Sequence, residues 1–332
     1  MPDGGEGSTL ERFASLEAMA AHFRPTAPFL AIGTFDGLHR GHRAVLGQLL
    51  AAARLAGAPA AVLTFRPHPL AILRPQEIPP LLVTYDERAL LLEACGIDAL
   101  VELPFTPELA RVSAAGFVGE YLCRRAGARR VFVGQDFTFG ARGLGRPDTL
   151  AVLGRQACGM ATTVVPLLAA DGEPVSSTRI RQALRDGRPG LATRLLGRPF
   201  SLRGTVLTGR QEARRLGFPT ANLRPAPGVA VPMGGVYAVV VRPLDTAGRP
   251  AGEWLGAVAN LGRRPTFGGD GELLLEVHIL DFASDLYGVS LEVGFLRRLR
   301  GERRFSGAAA LQRQIAHDSA RARTVLRGPR VP

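Results

Sequence analysis

At 332 residues the chain is long enough to bury a sizeable core and favours two domains. Apolar residues at 46% and charged residues at 21% describe an ordinary soluble protein, and no apolar run approaches the ~20 residues that span a bilayer, which argues against a membrane protein. All 41 basic residues are arginine, so a lysine Schiff base and a Walker-type phosphate loop are excluded, and an anionic substrate falls to Arg, His, backbone N–H or a metal.

The net charge of +12 is uneven: residues 1–185 hold 19 arginines against 17 acidic residues, and 186–332 hold 22 against 12. The clusters Arg297–Arg304 and Arg321–Arg330 read as solvated faces. With 6% aromatic residues and no recognised binding motif beside these clusters, nucleic acid is disfavoured as a partner. A weak oligomer stays open. Residues 1–27 form an N-terminal extension carrying Asp3, Glu6, Glu11 and Glu17 without a sustained apolar block, unlike a secretory signal. A helix is predicted near Leu10–Phe23. Cys95, Cys123 and Cys158 are odd in number and far apart, which predicts reduced, buried thiols in a cytoplasmic protein.

The apolar run Phe29–Ile32 predicts a strand, and the spacing of Ala44–Ala53 predicts a helix. Between them lies Gly33-Thr34-Phe35-Asp36-Gly37-Leu38-His39-Arg40-Gly41-His42. A helix start offers unpaired N–H groups and partial positive charge, and glycines let backbone approach a ligand, so the expected guest is an anion. His39 and His42, three apart, can reach the same phosphate and stabilise charge on a phosphoryl oxygen. Taken alone, such a pair also suits capping or metal ligation. A second strand, Pro59–Phe65, runs into Arg66-Pro67-His68-Pro69, where two prolines predict a rigid extended loop.

Thr84 is predicted to open a helix running to Gly96, followed by a strand at Ala99–Leu103, a helix over Ser113–Arg125 and a strand at Arg130–Val133. The last runs into Gly134-Gln135-Asp136-Phe137-Thr138-Phe139-Gly140, whose phenylalanines suit either core or ligand. A helix near Thr149–Ala157 and a strand at Ala161–Pro166 complete an alternation that predicts an α/β doubly wound parallel sheet. Then comes Ser176-Ser177-Thr178-Arg179-Ile180-Arg181, an N-cap signature whose arginines suit β- and γ-phosphates.

These strings, in order, resemble the His-x-Gly-His nucleotidyltransferase superfamily, and in their longer form the FAD synthetase module of bacterial-type bifunctional riboflavin kinase/FAD synthetases. The resemblance implies nucleotide or flavin contacts at Gly33, Phe35, Asp36, Gly37, His68, Asp136, Phe137, Ser177, Thr178 and Arg181, with His39, His42 and Arg179 catalytic.

Asp186-Gly187-Arg188-Pro189-Gly190 breaks the preceding helix, and the domain pattern is 28–185, a linker at 186–199, and 200–332. Beyond the linker, short apolar alternations at Leu202–Leu207, Val236–Val241, Trp254–Asn260, Leu273–Leu280 and Leu291–Phe295 predict a small antiparallel β-barrel. Ser306 is predicted to cap a C-terminal helix that covers it, with Leu311, Ile315 and Val325 at helical spacing. Thr220 and Asn222 are two residues apart, so an extended segment turns both the same way, and neutral oxygens of this kind complete the shell of Mg²⁺. In Leu273–Leu280, Leu275, Val277 and Ile279 share one face and Glu276 and His278 the other. A carboxylate in so apolar a run is functional or ion-paired.

Arg214-Arg215-Leu216-Gly217-Phe218-Pro219-Thr220-Ala221-Asn222 and the Leu-Glu-Val-His segment resemble riboflavin kinases. Ala257–Gly262, Arg263–Phe267 and Asp285–Gly288 match as barrel and flavin-pocket framework. The resemblance implies that Glu276 activates the ribityl hydroxyl, that Thr220 and Asn222 hold Mg²⁺, and that Arg214, Gly217 and Pro219 contact nucleotide or flavin. One departure is Ala213, where the family usually has Gly before the flap arginine. The expected activity is phosphorylation of riboflavin by ATP to FMN, then adenylylation of FMN by ATP to FAD.

Overall fold

The computed structural model describes residues 9–207, 220–266, 269–282, 284, 286–303 and 305–327. Arg214, Gly217 and Pro219, together with Ala213 and Asp285, lie outside the described residues. The chain divides into two compact units, Met1–Val175 and Ser176–Pro332.

The first unit is built on six parallel strands: β1 (Glu11–Phe13), β2 (Phe29–Ile32), β3 (Ala60–Arg66), β4 (Ala99–Pro104), β5 (Arg130–Gly134) and β6 (Ala161–Val165), in the order β1-β4-β3-β2-β5-β6. Alternate strand residues feed two separate cores, as a sheet buried on both faces requires. Leu30, Ile32, Leu63 and Val131 pack with Leu16, Phe117 and Leu150 on one side. Phe29, Ala31, Val62 and Phe132 pack with Val45, Leu49 and Leu92 on the other. The helices behind the second core are α1 (Arg40–Ala56) and α2 (Tyr85–Ala94). Thr84 and Glu87 form a full capping box on α2, as the sequence predicts. The doubly wound expectation is met.

Three local features differ from the expectation. The helix predicted near Leu10–Phe23 begins only at Leu16, because Ser15 caps it and Glu11–Phe13 pairs in parallel with β4 as an edge strand. The helix expected over Ser113–Arg125 is present with Ser113 as its N-cap, but after one α-turn, Ala114–Gly116, it continues as a π-helix, Phe117–Arg125. The expectation of reduced cysteines fails at two positions: the π-helix packs beside α3 (Pro147–Cys158), which brings Cys123 and Cys158 to a Cα separation of 5.9 Å in a disulfide, and Cys95 takes no part in a disulfide.

The second unit begins with α4 (Ser177–Arg185) and α5 (Pro189–Leu196). Strands β7 (Phe200–Leu207), β8 (Ala221–Leu223), β9 (Gly235–Pro243), β10 (Leu255–Thr266), β11 (Gly269–Ile279) and β12 (Ser290–Arg300) then close an antiparallel barrel in the order β8-β11-β10-β9-β12-β7. Leu275, Val277 and Ile279 are buried on one face of β11, as the alternation predicts. On the opposite barrel face, Val236, Ala238, Val258 and Leu299 pack against Ala322 and Val325 of α6 (Ala308–Leu326). The expected cover helix is therefore present, but Ser306 does not cap it. Gly307, in extended backbone, holds the N-cap position and makes no side-chain bond.

Candidate active sites

Strand order places the first site. β2 leads by helical crossovers to β3 and β4 on one side, while β5 and β6 lie on the other, so the order reverses between β2 and β5. In such sheets the crevice outside the carboxyl ends at the reversal receives ligands. The loops leaving β2, β3 and β5 there carry Gly33–His42, His68 and Asp136.

The turn after β2 is tightly wound: Phe35, Gly37 and Leu38 have φ of 48°, 81° and 39°. Left-handed backbone at two non-glycine residues costs of order 1–3 kcal/mol each, and the burial of the Phe35 and Leu38 side chains, 2% and 0% exposed, offsets it. The buried Asp36 carboxylate accepts the Leu82 N–H at 2.8 Å, tying the turn to the chain entering α2. Beneath it Arg88, 5% exposed, donates through Nη1 to the Thr34 carbonyl at 2.9 Å and through Nη2 to Glu102 Oε1 at 2.6 Å.

His39 is the N-cap of α1, and its Nδ1 accepts the His42 backbone N–H at 3.2 Å. An accepting Nδ1 carries no proton, so neutral His39 has its proton on Nε2. The His39 and His42 rings stack with centroids 3.6 Å apart, and Phe35 packs 5.2 Å from His42. A Cβ at Gly41 would lie 3.2 Å from His39 Cε1 and Nδ1, which explains the glycine between the two histidines. Burial, then the neighbouring His39, push the His42 imidazolium well below the usual histidine range. His42 Nδ1 is buried without a hydrogen-bond partner among the described residues.

His68 also has a capping contact: its Nδ1 accepts the Leu70 N–H at 3.2 Å, and its own N–H donates to the Tyr85 hydroxyl at 3.1 Å. The two prolines do not keep this loop extended, because Pro69 is already helical and starts a turn at Leu70–Leu73. After β5, Asp136 is exposed, whereas Phe137 and Phe139 stack at 5.7 Å and join the core.

In the second unit Ser176 caps α4 by accepting the Arg179 N–H at 3.2 Å, with Ser177 the first helical residue. Thr178 is exposed, Arg179 half-buried and Arg181 buried. On the barrel, strand register aligns three polar side chains: Asn222 of β8 faces Glu276 of β11, which faces Asn260 of β10. Asn260 Nδ2 donates to Glu276 Oε2 at 3.5 Å. Asn222 Oδ1 is buried without a hydrogen-bond partner among the described residues. Thr220 stands just before β8. The sequence singles out neither Arg88 nor Glu102 and has Asn260 only within the framework string Ala257–Gly262, because their partners are set by strand and helix packing rather than by local spacing.

Among the described residues no helix is long and apolar enough to cross a membrane, and no cluster of three or more His, Cys, Asp or Glu side chains has metal-binding geometry. The FAD synthetase family model matches residues 24–179 and the riboflavin kinase model residues 196–326. A bifunctional riboflavin kinase/FMN adenylyltransferase of Pseudomonas fluorescens is 42% identical over 294 residues, covering 89% of this chain and 91% of the relative. The Escherichia coli K12 enzyme of the same description is 38% identical over 296 residues, covering 89% and 91%. Among solved structures, a Streptococcus pneumoniae protein described as a macrolide-efflux protein superposes with a TM-score of 0.82 at 30% identity, covering 95% of this chain and 99% of the other. With a matching family model in each half and relatives similar along nearly its whole length, the chain belongs to the bifunctional riboflavin kinase/FMN adenylyltransferases, which make FMN and then FAD.

Proposed function

We propose that the two reactions use separate residue sets, with adenylylation assigned to 28–185 and phosphorylation to 200–332. For adenylylation the supporting observation is the stacked pair at the start of α1. There His39, its Nδ1 occupied by the His42 backbone N–H, directs an Nε2–H donor toward a phosphoryl oxygen. His42, kept neutral by burial, acts as a polar donor rather than a fixed cation. The FMN phosphate is anionic at neutral pH and attacks the ATP α-phosphate without a base, while Arg179 and Arg181 hold the departing pyrophosphate. Asp136, Phe137, His68, Ser177 and Thr178 contribute contacts to nucleotide or flavin.

For phosphorylation, Glu276 takes the proton from the ribityl hydroxyl as it attacks the γ-phosphate of ATP, a step that contributes on the order of 10²–10⁴ in rate. The buried Asn222 Oδ1, on the strand register opposite Glu276 and without a hydrogen-bond partner among the described residues, fits a hard cation, and Thr220 and Asn222 would hold Mg²⁺. Mg²⁺ bound there would neutralise charge on the ATP phosphates.

Glu276→Ala is expected to abolish FMN formation from riboflavin while FAD formation from supplied FMN continues, and His42→Ala to let FMN accumulate. Loss of both reactions in Glu276→Ala would refute independent residue sets, and unchanged FAD output in His42→Ala would remove that histidine from the scheme.

A further inference from the structure

A general base works only when its lone pair is aimed, and in well-formed sites a third group does the aiming. Glu276 stands in mid-strand between two asparagines that the register places directly opposite it, Asn222 on β8 and Asn260 on β10. These neighbours present different chemistry. Asn222 has a buried carbonyl oxygen with no hydrogen-bond partner among the described residues, an acceptor suited to a cation. Asn260 turns its amide Nδ2 toward Glu276 Oε2, at 3.5 Å.

The cross-strand contact holds one carboxylate oxygen, Oε2, from the β10 side. The 3.5 Å separation is at the long end for a hydrogen bond, as catalytic contacts are before substrate tightens them. Asn260 itself is held by a continuous ladder: β10 is paired with β11 from Ala257 to Arg264 and with β9 from Leu255 to Leu261, so its Cα has little freedom to drift.

We propose that Asn260 is a positioning residue of the riboflavin kinase reaction, its amide N–H orienting the Glu276 carboxylate toward the ribityl hydroxyl. The proposal rests on the reading of Glu276 as the base. It gives Asn260 no contact with the transferring phosphoryl group, so its loss lowers kcat and leaves KM for riboflavin and ATP nearly unchanged.

The test compares Asn260→Asp, Asn260→Ala, Asn260→Gln and Glu276→Gln in steady-state FMN formation, with FAD formation from supplied FMN and thermal unfolding measured on each protein. Asn260→Asp keeps the shape and removes the donor, replacing it with a like charge. It is expected to lose more kcat than Asn260→Ala, which should lose about 10- to 100-fold. Asn260→Gln, whose longer amide still reaches a carboxylate, should recover part of the rate, and FAD formation should not change in any of them. If Asn260→Asp phosphorylates riboflavin at the unaltered rate, or if the effect falls on KM alone, Asn260 does not orient the base. Should Asn260→Ala fail to fold, the isosteric Asp variant decides the matter. If Glu276→Gln retains full kinase activity, the reading of the base fails first, an outcome distinct from an inactive Glu276→Gln beside an unaffected Asn260→Asp.

Discussion

Replacing Arg88 with Met tests how the tight turn before His39 is held. Arg88 is 5% exposed and supplies two bonds, one to the Thr34 carbonyl at 2.9 Å and one to Glu102 at 2.6 Å. Methionine retains most of the apolar stem, so the loss is chiefly polar. Breaking a buried ion pair by deleting one partner costs about 3–5 kcal/mol. Two remaining contacts soften it here: Glu102 keeps Arg12 at 2.8 Å, and the Thr34 carbonyl keeps the Thr64 hydroxyl at 3.4 Å. The expected cost is therefore near the lower bound, about 3 kcal/mol, or about 6–12 °C in a unit of this size. Because Thr34 lies between β2 and His39, a displacement of ~1 Å there is worth up to about 10²-fold in adenylylation. Differential scanning calorimetry and separate assays of the two reactions read these effects. FAD formation from FMN should fall and riboflavin phosphorylation should persist. An unchanged melting temperature with unchanged FAD formation would refute the reasoning, as would equal loss of both activities.

Three further outcomes follow from the same structure. His42 titrates below its ordinary value of 6.5, so below that pH the unfolded chain binds more protons and stability rises with pH. Denaturant titrations should show the difference between wild type and His42→Ala changing by up to ~1.4 kcal/mol per pH unit below about pH 6.5 and flattening above it; a difference constant with pH would contradict the assignment. Asp318, 2% exposed, receives Arg300 Nε at 2.9 Å and Gln314 Nε2 at 3.0 Å, so Asp318→Ala should destabilise the second unit by about 3–5 kcal/mol in urea unfolding and leave adenylylation intact. The Cys123–Cys158 bond closes a separation of 35 residues and should contribute about 4 kcal/mol against unfolding. Thiol titration in denaturant should find Cys95 alone before reduction, and three reactive thiols at the outset would exclude the bond.

The contrast between what the sequence showed and what it hid has a physical basis. The longer strands of both units were legible because period-two and continuous apolar runs report burial directly, whereas the three-residue β8 was not, and α2 was legible because its capping box is local. The short strand Glu11–Phe13 was hidden because three residues carry no period, and its pairing partner lies at Ala99–Val101. The π-helix, the Cys123–Cys158 bond and the Asn222–Glu276–Asn260 row were hidden for a related reason: each depends on packing between segments distant in sequence. The roles proposed for His39, His42, Thr220, Asn222 and Glu276 rest on short motifs. The Arg88 brace under Thr34 belongs to no motif, and only tertiary structure reveals it.

The most direct measurement mixes two variants, each defective in one proposed residue set, with riboflavin, ATP and Mg²⁺, and follows the flavins by chromatography. Glu276→Ala alone should leave riboflavin untouched, His42→Ala alone should stop at FMN, and the mixture should carry riboflavin through to FAD. A mixture that makes no FAD, or a single variant that completes both steps, would contradict the division of labour on which the account stands.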